Sequence, residues 1–233
     1  MSRRLALFAL LLAAPAASAQ EEDDSGSVPL EGVGRISVQA GWRLTSNNTF
    51  YNSFYALPAY ACAQDCARSS PGGPFFAGSF GYAIMEYLEL GIDLFATGER
   101  LQLTNAPTLT NYTYGALVGV RFQTLLDVLT PQGVVPFIGI QSGPSLVFSQ
   151  AEGKDVGQKE IIQQPWVGTV GATFRLTPRW GFTTEYRLAF ARGQSPYAEK
   201  NKGLASYNAG GNWFALGLTY SFPPDPSRPF RPL

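Results

Sequence analysis

The sequence constrains the fold most strongly through an alternation of apolar residues with small or charged ones. The segment Leu88 to Leu101, LELGIDLFATGERL, shows the pattern: every second residue is apolar, and the intervening row holds Glu89 and Asp93. Successive side chains of a β-strand point to opposite faces, so the pattern predicts a strand with one apolar face. Such a strand fits a soluble sheet with its apolar face inside or a membrane barrel with its apolar face outside.

Turn residues divide the chain into eight segments with strand patterns. The segments are Gly34 to Thr45, Phe75 to Met85, Leu88 to Leu101, Tyr112 to Leu125, Val134 to Phe148, Trp166 to Leu176, Gly181 to Arg192 and Asn212 to Phe222. The connectors alternate in length, beginning with a long one, as in a barrel with long loops at one mouth and short turns at the other. The predicted fold is all-β, an eight-stranded antiparallel up-and-down transmembrane β-barrel.

The beginning of the chain has the features of a secretory signal peptide. Arg3 and Arg4 precede an apolar run that ends in small residues, which predicts cleavage after Ala19. A membrane anchor is the alternative, but the apolar run is too short for a membrane-spanning helix. The predicted organisation is a signal peptide at 1–19, an acidic periplasmic lead-in at 20–33, the barrel at 34–222 and a proline-rich tail at 223–233.

The composition of the polar row favours the membrane barrel. A soluble barrel turns this row to water and usually fills it with Lys and Glu, whereas the lysines here fall in the long connectors. Glycine, Ser, Thr and Gln dominate the row, and such residues suit a narrow, crowded interior. A soluble lipocalin-like barrel remains the alternative.

The polar row also carries charges of both signs, and unpaired charges would be costly in a barrel interior. We therefore expect a network of ion pairs in the lumen, in which Glu89 and Asp93 pair with arginines on neighbouring strands. The alternative is that these charges line water near the mouths. The predicted members are Arg43, Glu89, Asp93, Arg121, Arg175, Glu185 and Arg187.

Charge and cysteine content exclude some functions. Removing the two signal-peptide arginines leaves a net charge of about minus two, which gives no electrostatic support for nucleic-acid binding. Cys62 and Cys66 reach an oxidising compartment and are predicted to form a local disulfide. A zinc site is the alternative, but two thiols without any histidine in the chain make a poor one, so no metal site or cofactor is expected.

Three stretches resemble the outer-membrane β-barrel family of small bacterial proteins, of the OmpA-type and OmpX-type eight-stranded kind. They are GSFGYAIMEYLELGIDL, VVPFIGIQSG and WFALGLTYSF, and the resemblance covers Gly34 to Phe222. It implies the bacterial outer membrane, with extracellular loops, periplasmic termini, outer-membrane lipid and lipopolysaccharide around the barrel, and the barrel-assembly machinery as a partner. The sequence departs from the family after Phe222, where PPDPSRPFRPL follows the closing strand.

The favoured function is a non-enzymatic outer-membrane barrel with a closed polar lumen and a structural or surface-interaction role through its loops. The long, aromatic first loop is the best candidate for a contact surface, and its ligand is unknown. Basic side chains such as Arg68 and Arg100 are expected at the outer rim, where lipopolysaccharide phosphates lie. A narrow channel for small solutes is the alternative. An enzyme is disfavoured, because the chain has no histidine to activate a serine or water, and no catalytic residue is predicted.

Overall fold

The computed structural model describes residues 30–58, 60–61, 70–103, 106–130, 132–152, 159–193 and 206–222. The predicted signal peptide, most of the acidic lead-in, the proline-rich tail, Cys62 and Cys66 lie outside these ranges, so the disulfide stays a prediction. Within the described ranges, no helix is long and apolar enough to cross a bilayer.

The described chain consists of β-strands and one short helix. In chain order the strands are β1 (Gly34–Leu44), β2 (Gly73–Met85), β3 (Leu88–Leu103), β4 (Ala106–Gln123), β5 (Val134–Ser142), β6 (Ser145–Ala151), β7 (Lys159–Gln163), β8 (Trp166–Arg175), β9 (Trp180–Phe190), β10 (Arg192–Gly193), β11 (Tyr207–Asn208) and β12 (Gly211–Phe222). The helix, α1 (Asn48–Tyr55), lies in the connector after β1.

These strands form a closed barrel of eight antiparallel wall strands, which confirms the predicted fold class. Each wall strand pairs with its neighbours in sequence, and β12 pairs with β1 to close the ring, with Gly34 opposite Phe222. The wall strands number eight because β5 and β6 continue one strand, as do β7 and β8, β9 and β10, and β11 and β12.

Two prolines explain why one wall strand is divided into β5 and β6 and its neighbour into β7 and β8. The register against β4 is the same on both sides of Pro144, with Ser142 opposite Val118 and Ser145 opposite Gly115. Pro165 interrupts the next strand at the same level. Proline has no N–H to donate to the ladder, so the pairing pauses without a change of register. The predicted fifth strand, Val134 to Phe148, therefore corresponds to β5 and most of β6.

The barrel turns its apolar face outward and its polar face inward. On three strands the outward side chains Val38, Leu94 and Val118 are 68%, 63% and 61% exposed. Their neighbours in sequence, among them Gln39 and Asp93, are each 1% exposed. An apolar band this extensive on an outer surface requires lipid around it, because water-soluble proteins rarely expose large apolar patches.

The glycines of the inward row allow neighbouring strands to approach closely. A Cβ atom at Gly41 would lie 1.8 Å from the carbonyl oxygen of Phe214, and one at Gly119 would lie 2.2 Å from that of Ile140. No side chain fits at such distances. The prediction of small residues for a narrow interior thus has a direct steric cause at these two positions.

Two connectors differ from their predicted form. The third was expected to be a long loop from Gln102 to Asn111, but β3 and β4 stay paired as far as Leu103 and Ala106. The first connector contains α1, which was not predicted. The predicted alternation of loop lengths is therefore weaker than expected at the third connector, which is a long strand hairpin instead.

Candidate functional site

The middle of the lumen holds a group of charged side chains, which we call the lumen cluster. All of its members are buried and they come from β1, β3, β4 and β9: Arg35, Glu89, Asp93, Arg121, Glu185 and Arg187. The three arginines balance the three carboxylates, so the cluster is neutral as a whole.

Ion pairs link all six members of the lumen cluster. Arg35 Nη2 lies 2.6 Å from Glu89 Oε1, and Arg187 Nη1 lies 2.8 Å from Asp93 Oδ2. Arg187 also approaches the third carboxylate, with Nε 2.9 Å from Glu185 Oε1. Arg121 lies among the three carboxylates, with its nitrogens 3.8 Å from Glu89, 3.4 Å from Asp93 and 3.6 Å from Glu185.

The strand register brings these charges together. Glu89 is directly opposite Arg121 in the ladder between β3 and β4. Asp93 lies four residues further along β3, and Glu185 and Arg187 are two residues apart on β9, so each pair shares the inward face of its strand. The backbone ladder alone therefore holds the oppositely charged side chains within reach of one another.

Neutral side chains complete the lumen cluster. Gln39 donates from Nε2 to Glu185 Oε2 over 2.8 Å and accepts from Arg187 Nη2 over 3.1 Å. The ring of Phe137 lies 4.9 Å from the guanidinium carbon of Arg121, close enough for a cation–π contact. A buried charge without its partner is strongly destabilising, and every charge of the lumen cluster has an oppositely charged partner.

A second polar group, which we call the mouth cluster, lies at the end of the barrel that carries the long connectors. Glu99 of β3 is its centre. It accepts hydrogen bonds from Arg43 Nη2 over 2.6 Å, from the hydroxyl of Tyr207 over 2.9 Å and from Asn47 Nδ2 over 3.1 Å. The hydroxyl of Ser70 also donates to Glu99. One buried carboxylate of β3 thus joins β1 and β11 to the first long connector.

Asn47 adds a second connection within the mouth cluster. Its Oδ1 accepts from the backbone N–H of Asn208 over 2.8 Å, and its Nδ2 donates to the Asn208 carbonyl oxygen over 2.9 Å. Asn47 immediately precedes α1, so these bonds hold the start of the helix against β11.

The helix α1 fills the barrel mouth with aromatic rings, and we call these rings the plug: Phe50, Tyr51, Phe54, Tyr55 and the nearby Tyr60. All five are buried, and they pack on inward side chains of the wall such as Leu101, Leu109 and Val147. The rings contact one another, with the centroids of Phe54 and Tyr60 4.5 Å apart.

Two tyrosines of the plug have strongly perturbed acidity. Burial raises the pKa of Tyr55 to about 12, and its hydroxyl donates to the Pro107 carbonyl oxygen over 2.8 Å. Burial, with a further contribution from the charge of Glu99, also raises the pKa of Tyr51. Both phenols are therefore neutral at physiological pH and stay compatible with an apolar environment.

An apolar layer of inward side chains lies among the wall strands. It consists of Phe75, Phe95, Leu117, Val167 and Trp213 with small alanines around them. The ring centroids of Phe75 and Trp213 are 4.9 Å apart, and that of Phe95 is 5.4 Å from Trp213. The interior of the described barrel is thus occupied by ionic, apolar and aromatic groups.

The predicted network residues occupy three places. Glu89, Asp93, Arg121, Glu185 and Arg187 meet in the lumen cluster. Arg43 belongs to the mouth cluster instead. It lies eight residues further along β1 than Arg35, at the end of the strand next to the first long connector. Arg175 is the last residue of β8 and lies near the short turns, where its Nη2 is 3.5 Å from the Pro178 carbonyl oxygen.

Six polar residues of these clusters were missed: Arg35, Gln39, Asn47, Ser70, Glu99 and Tyr207. A sequence signal existed for Arg35, Gln39 and Glu99, because they lie on the same alternating rows as the predicted members. Asn47 and Ser70 lie in the first connector, outside the strand patterns. No strand pattern surrounds Tyr207, so its inward position could not be read from periodicity.

Among the described residues, no group of three or more His, Cys, Asp or Glu side chains could hold a metal ion.

Comparison with known proteins agrees with this geometry. The outer membrane protein beta-barrel domain matches residues 5–222. The chain belongs to this outer-membrane β-barrel family. Membership indicates the bacterial outer membrane as its location. No curated protein matches the sequence.

Solved structures of outer-membrane proteins resemble the barrel. The outer membrane protein OprG from Pseudomonas aeruginosa shares 12% identity with a TM-score of 0.52, over 86% of this chain and 99% of OprG. Neisserial surface protein A shares 15% identity with a TM-score of 0.49, over 82% of this chain and 98% of the other. Because the identity is only 12%, the likeness to OprG is evidence for the fold and for no shared function.

Proposed function

We propose that the protein is a non-enzymatic outer-membrane barrel with a closed polar lumen, which has a structural or surface-interaction role through its long loops. The observation that carries the proposal is the filling of the interior. The lumen cluster, the apolar layer and the plug occupy the described barrel from its middle to its mouth. An eight-stranded barrel has little room beyond its own side chains, so these groups leave no evident route for a solute.

The proposed orientation places the loops outside the cell and both termini in the periplasm. The long connectors after β1, β6 and β10 and the extended hairpin of β3 and β4 share one end of the barrel. The short turns and the two ends of the barrel domain share the other. This asymmetry is typical of outer-membrane barrels, whose longer loops are extracellular.

The first loop requires a revised interpretation. Its aromatic side chains were expected to form a contact surface, but those of α1 point into the barrel as part of the plug. Asn48, Thr49 and Asn52 are the exposed residues of the helix. A surface role of this loop therefore depends on its polar residues, while its aromatic residues stabilise the mouth.

Lipid and the assembly machinery are the proposed partners. The apolar outer band fits the hydrocarbon of the outer membrane, and the exposed Arg100 at the rim fits the level of lipid phosphates. The barrel-assembly machinery would insert a chain of this architecture.

An accessibility experiment tests the orientation. An epitope inserted within residues 153–158, in a long connector, should bind antibody on intact cells. The same epitope inserted between Glu86 and Tyr87, in a short turn, should bind only after permeabilisation. The reverse result would overturn the proposed orientation and leave the barrel fold unaffected.

A conductance experiment tests the closed lumen against the alternative of a narrow channel. Protein whose migration on a gel changes on boiling, as expected for a folded barrel, is inserted in a planar bilayer. We expect no discrete conductance steps, either from the wild type or from a Phe50→Ala, Phe54→Ala variant, because the apolar layer and the lumen cluster remain below the weakened plug. Discrete steps from the wild type would contradict the closed lumen.

A further inference from the structure

The outer wall of the barrel carries a groove of about 430 Å³, which we call the wall groove. It crosses β2, β3, β4 and β6 on the face that the fold turns to lipid. Ala96 and Gly98 form its floor, and the bulky side chains beside them form its walls: Phe76, Tyr112, Tyr114 and Phe148. Its volume falls within the range of about 300–1,000 Å³ that is typical of ligand pockets.

The glycine in the floor is not required by the packing of the wall. A Cβ atom at Gly98 would meet the ring of Tyr112 at 3.5 Å, which is an ordinary contact. At the inward Gly41 and Gly119, in contrast, a Cβ atom would collide with the backbone of the next strand. Gly98 therefore leaves open a space that larger residues could fill, and the space faces lipid.

The wall changes from apolar to polar at the upper end of the wall groove, which is the end next to the long connectors. Gly98, Tyr112 and Phe148 lie side by side in the register of β3, β4 and β6. Two residues higher on the same face, the corresponding row is Arg100, Thr110 and Gln150. Each row is about 7 Å from the next, because a strand rises about 3.4 Å per residue. A membrane lipid has the same order, with its acyl chain below its phosphate.

Arg100 is able to contact a phosphate at this position. Its side chain is 57% exposed, and its Nη2 lies 3.0 Å from Glu152 Oε1, whose side chain is 58% exposed. An exposed pair of this kind contributes little stability, and a guanidinium has five N–H donors. Arginine recognises phosphate with paired hydrogen bonds. Both the apolar groove and the cation above it thus complement one lipid molecule.

We propose that the wall groove is a binding site for a single phosphate-bearing membrane lipid, with an acyl chain against Gly98 and the phosphate at Arg100. The site goes beyond the general lipid contact of a barrel, because it binds one lipid at one place on the wall. It belongs to the leaflet next to the long loops.

Photocrosslinking in nanodiscs tests the site. The protein is reconstituted in phosphatidylglycerol with a small fraction of phosphatidylglycerol that carries a diazirine in its acyl chain. Adducts are located by mass spectrometry of peptides. We expect adducts to concentrate on the peptide with Tyr112 and Tyr114 relative to the peptide with Leu188 and Phe190, which also face lipid.

Variants distinguish a specific lipid-binding site from the general contact of lipid with the barrel wall. Gly98→Leu should lower the adduct yield at Tyr112 and Tyr114 about tenfold, because it removes the burial of several lipid methylene groups. Gly168→Leu is the matched control, since Gly168 faces lipid on β8 and a Cβ atom there would meet no atom within 4 Å. It should leave that yield unchanged. All variants are first shown to change migration on boiling, so loss of the fold is recognised separately.

The phosphate contact has its own control. Arg100→Gln should lower the yield with the phosphatidylglycerol probe but leave it unchanged with a photoactivatable diacylglycerol, which has no phosphate. Arg179→Gln, at an exposed arginine on the short-turn end, should change neither. An even distribution of adducts around the barrel, no effect of Gly98→Leu, or crosslinked dimers in place of lipid adducts would overturn the site. An equal effect of Arg100→Gln on both probes would overturn the phosphate contact.

Discussion

The lumen cluster and the mouth cluster both bury arginine against carboxylate, but they differ in what holds them. Every charge of the lumen cluster lies on a wall strand, where the ladder sets its position. Glu99 in the mouth cluster instead depends on Asn47, Ser70 and Tyr207, which come from connectors or their edges. The first cluster should therefore be lost only with the barrel, whereas the second should open locally.

The largest effect is expected from Arg121→Leu in the lumen cluster. The change removes the cation that lies among Glu89, Asp93 and Glu185 and leaves buried negative charge in excess. The free energy of unfolding should fall by about 3–5 kcal/mol. Urea unfolding in lipid vesicles, followed by tryptophan fluorescence, measures it. Arg179→Leu at an exposed site is the control, and an unchanged free energy for Arg121→Leu would argue against a buried network.

A smaller and more local effect is expected from Glu99→Gln in the mouth cluster. The amide retains the shape of the side chain but removes the charge that faces Arg43. The plug can detach and admit water, so we expect the free energy of unfolding to fall by about 1.5–3 kcal/mol, the range of a hydrogen bond to a charged group. Hydrogen exchange should accelerate in α1 while β3 and β9 stay protected. Equal acceleration in the wall strands would show that the two clusters are not distinct.

Alkaline pH should open the plug before the wall. The raised pKa of Tyr55 means that the stability from its neutral phenol is complete below pH 10.0, its ordinary pKa. That stability is lost as the pH rises through about 12, the pKa in the folded protein. Proteolysis within the first connector should increase over this range. Tyr55→Phe should reduce the increase, whereas Tyr87→Phe, at an exposed site, should not change it.

The smallest effect is expected at the exposed pair of Arg100 and Glu152. In detergent, Glu152→Gln should change the free energy of unfolding by less than about 1 kcal/mol, because water and salt screen exposed ion pairs. The measurement is a urea titration followed by tryptophan fluorescence, with Arg121→Leu repeated in the same detergent for comparison. A loss as large as that of Arg121→Leu would remove the distinction between buried and exposed charge on which the comparison depends.

The sequence predicted the wall better than the mouth for physical reasons. Alternation with a period of two reports which face of a strand is buried, so the inward positions of Glu89 and Asp93 could be derived from it. Arg35 and Glu99 were missed although they lie on the same rows. Only the packing in the folded barrel shows that Arg35 pairs with Glu89 and that Glu99 pairs with Arg43.

The plug lies beyond this kind of prediction. In α1, the aromatic residues at 50, 51, 54 and 55 have helical spacing, but a helix of eight residues is too short to stand out from sequence alone. Its stability comes from packing against wall side chains such as Leu101, Leu109 and Val147, which periodicity does not bring together. The extension of β3 and β4 was missed for a related reason, since Asn105 and Pro107 are typical of loops.

The two prolines that interrupt the wall have a consequence for how the barrel varies. Pro144 and Pro165 lie on neighbouring strands at one level, where Ser142 Oγ donates to the Pro165 carbonyl oxygen over 2.9 Å in place of a ladder bond. The hairpin of β6 and β7 above this level stays attached to the barrel through the ladder between β4 and β6, whereas few backbone bonds join it to β5 and β8. Its tip can therefore change in length while β4 and the membrane-spanning part of the barrel keep their register.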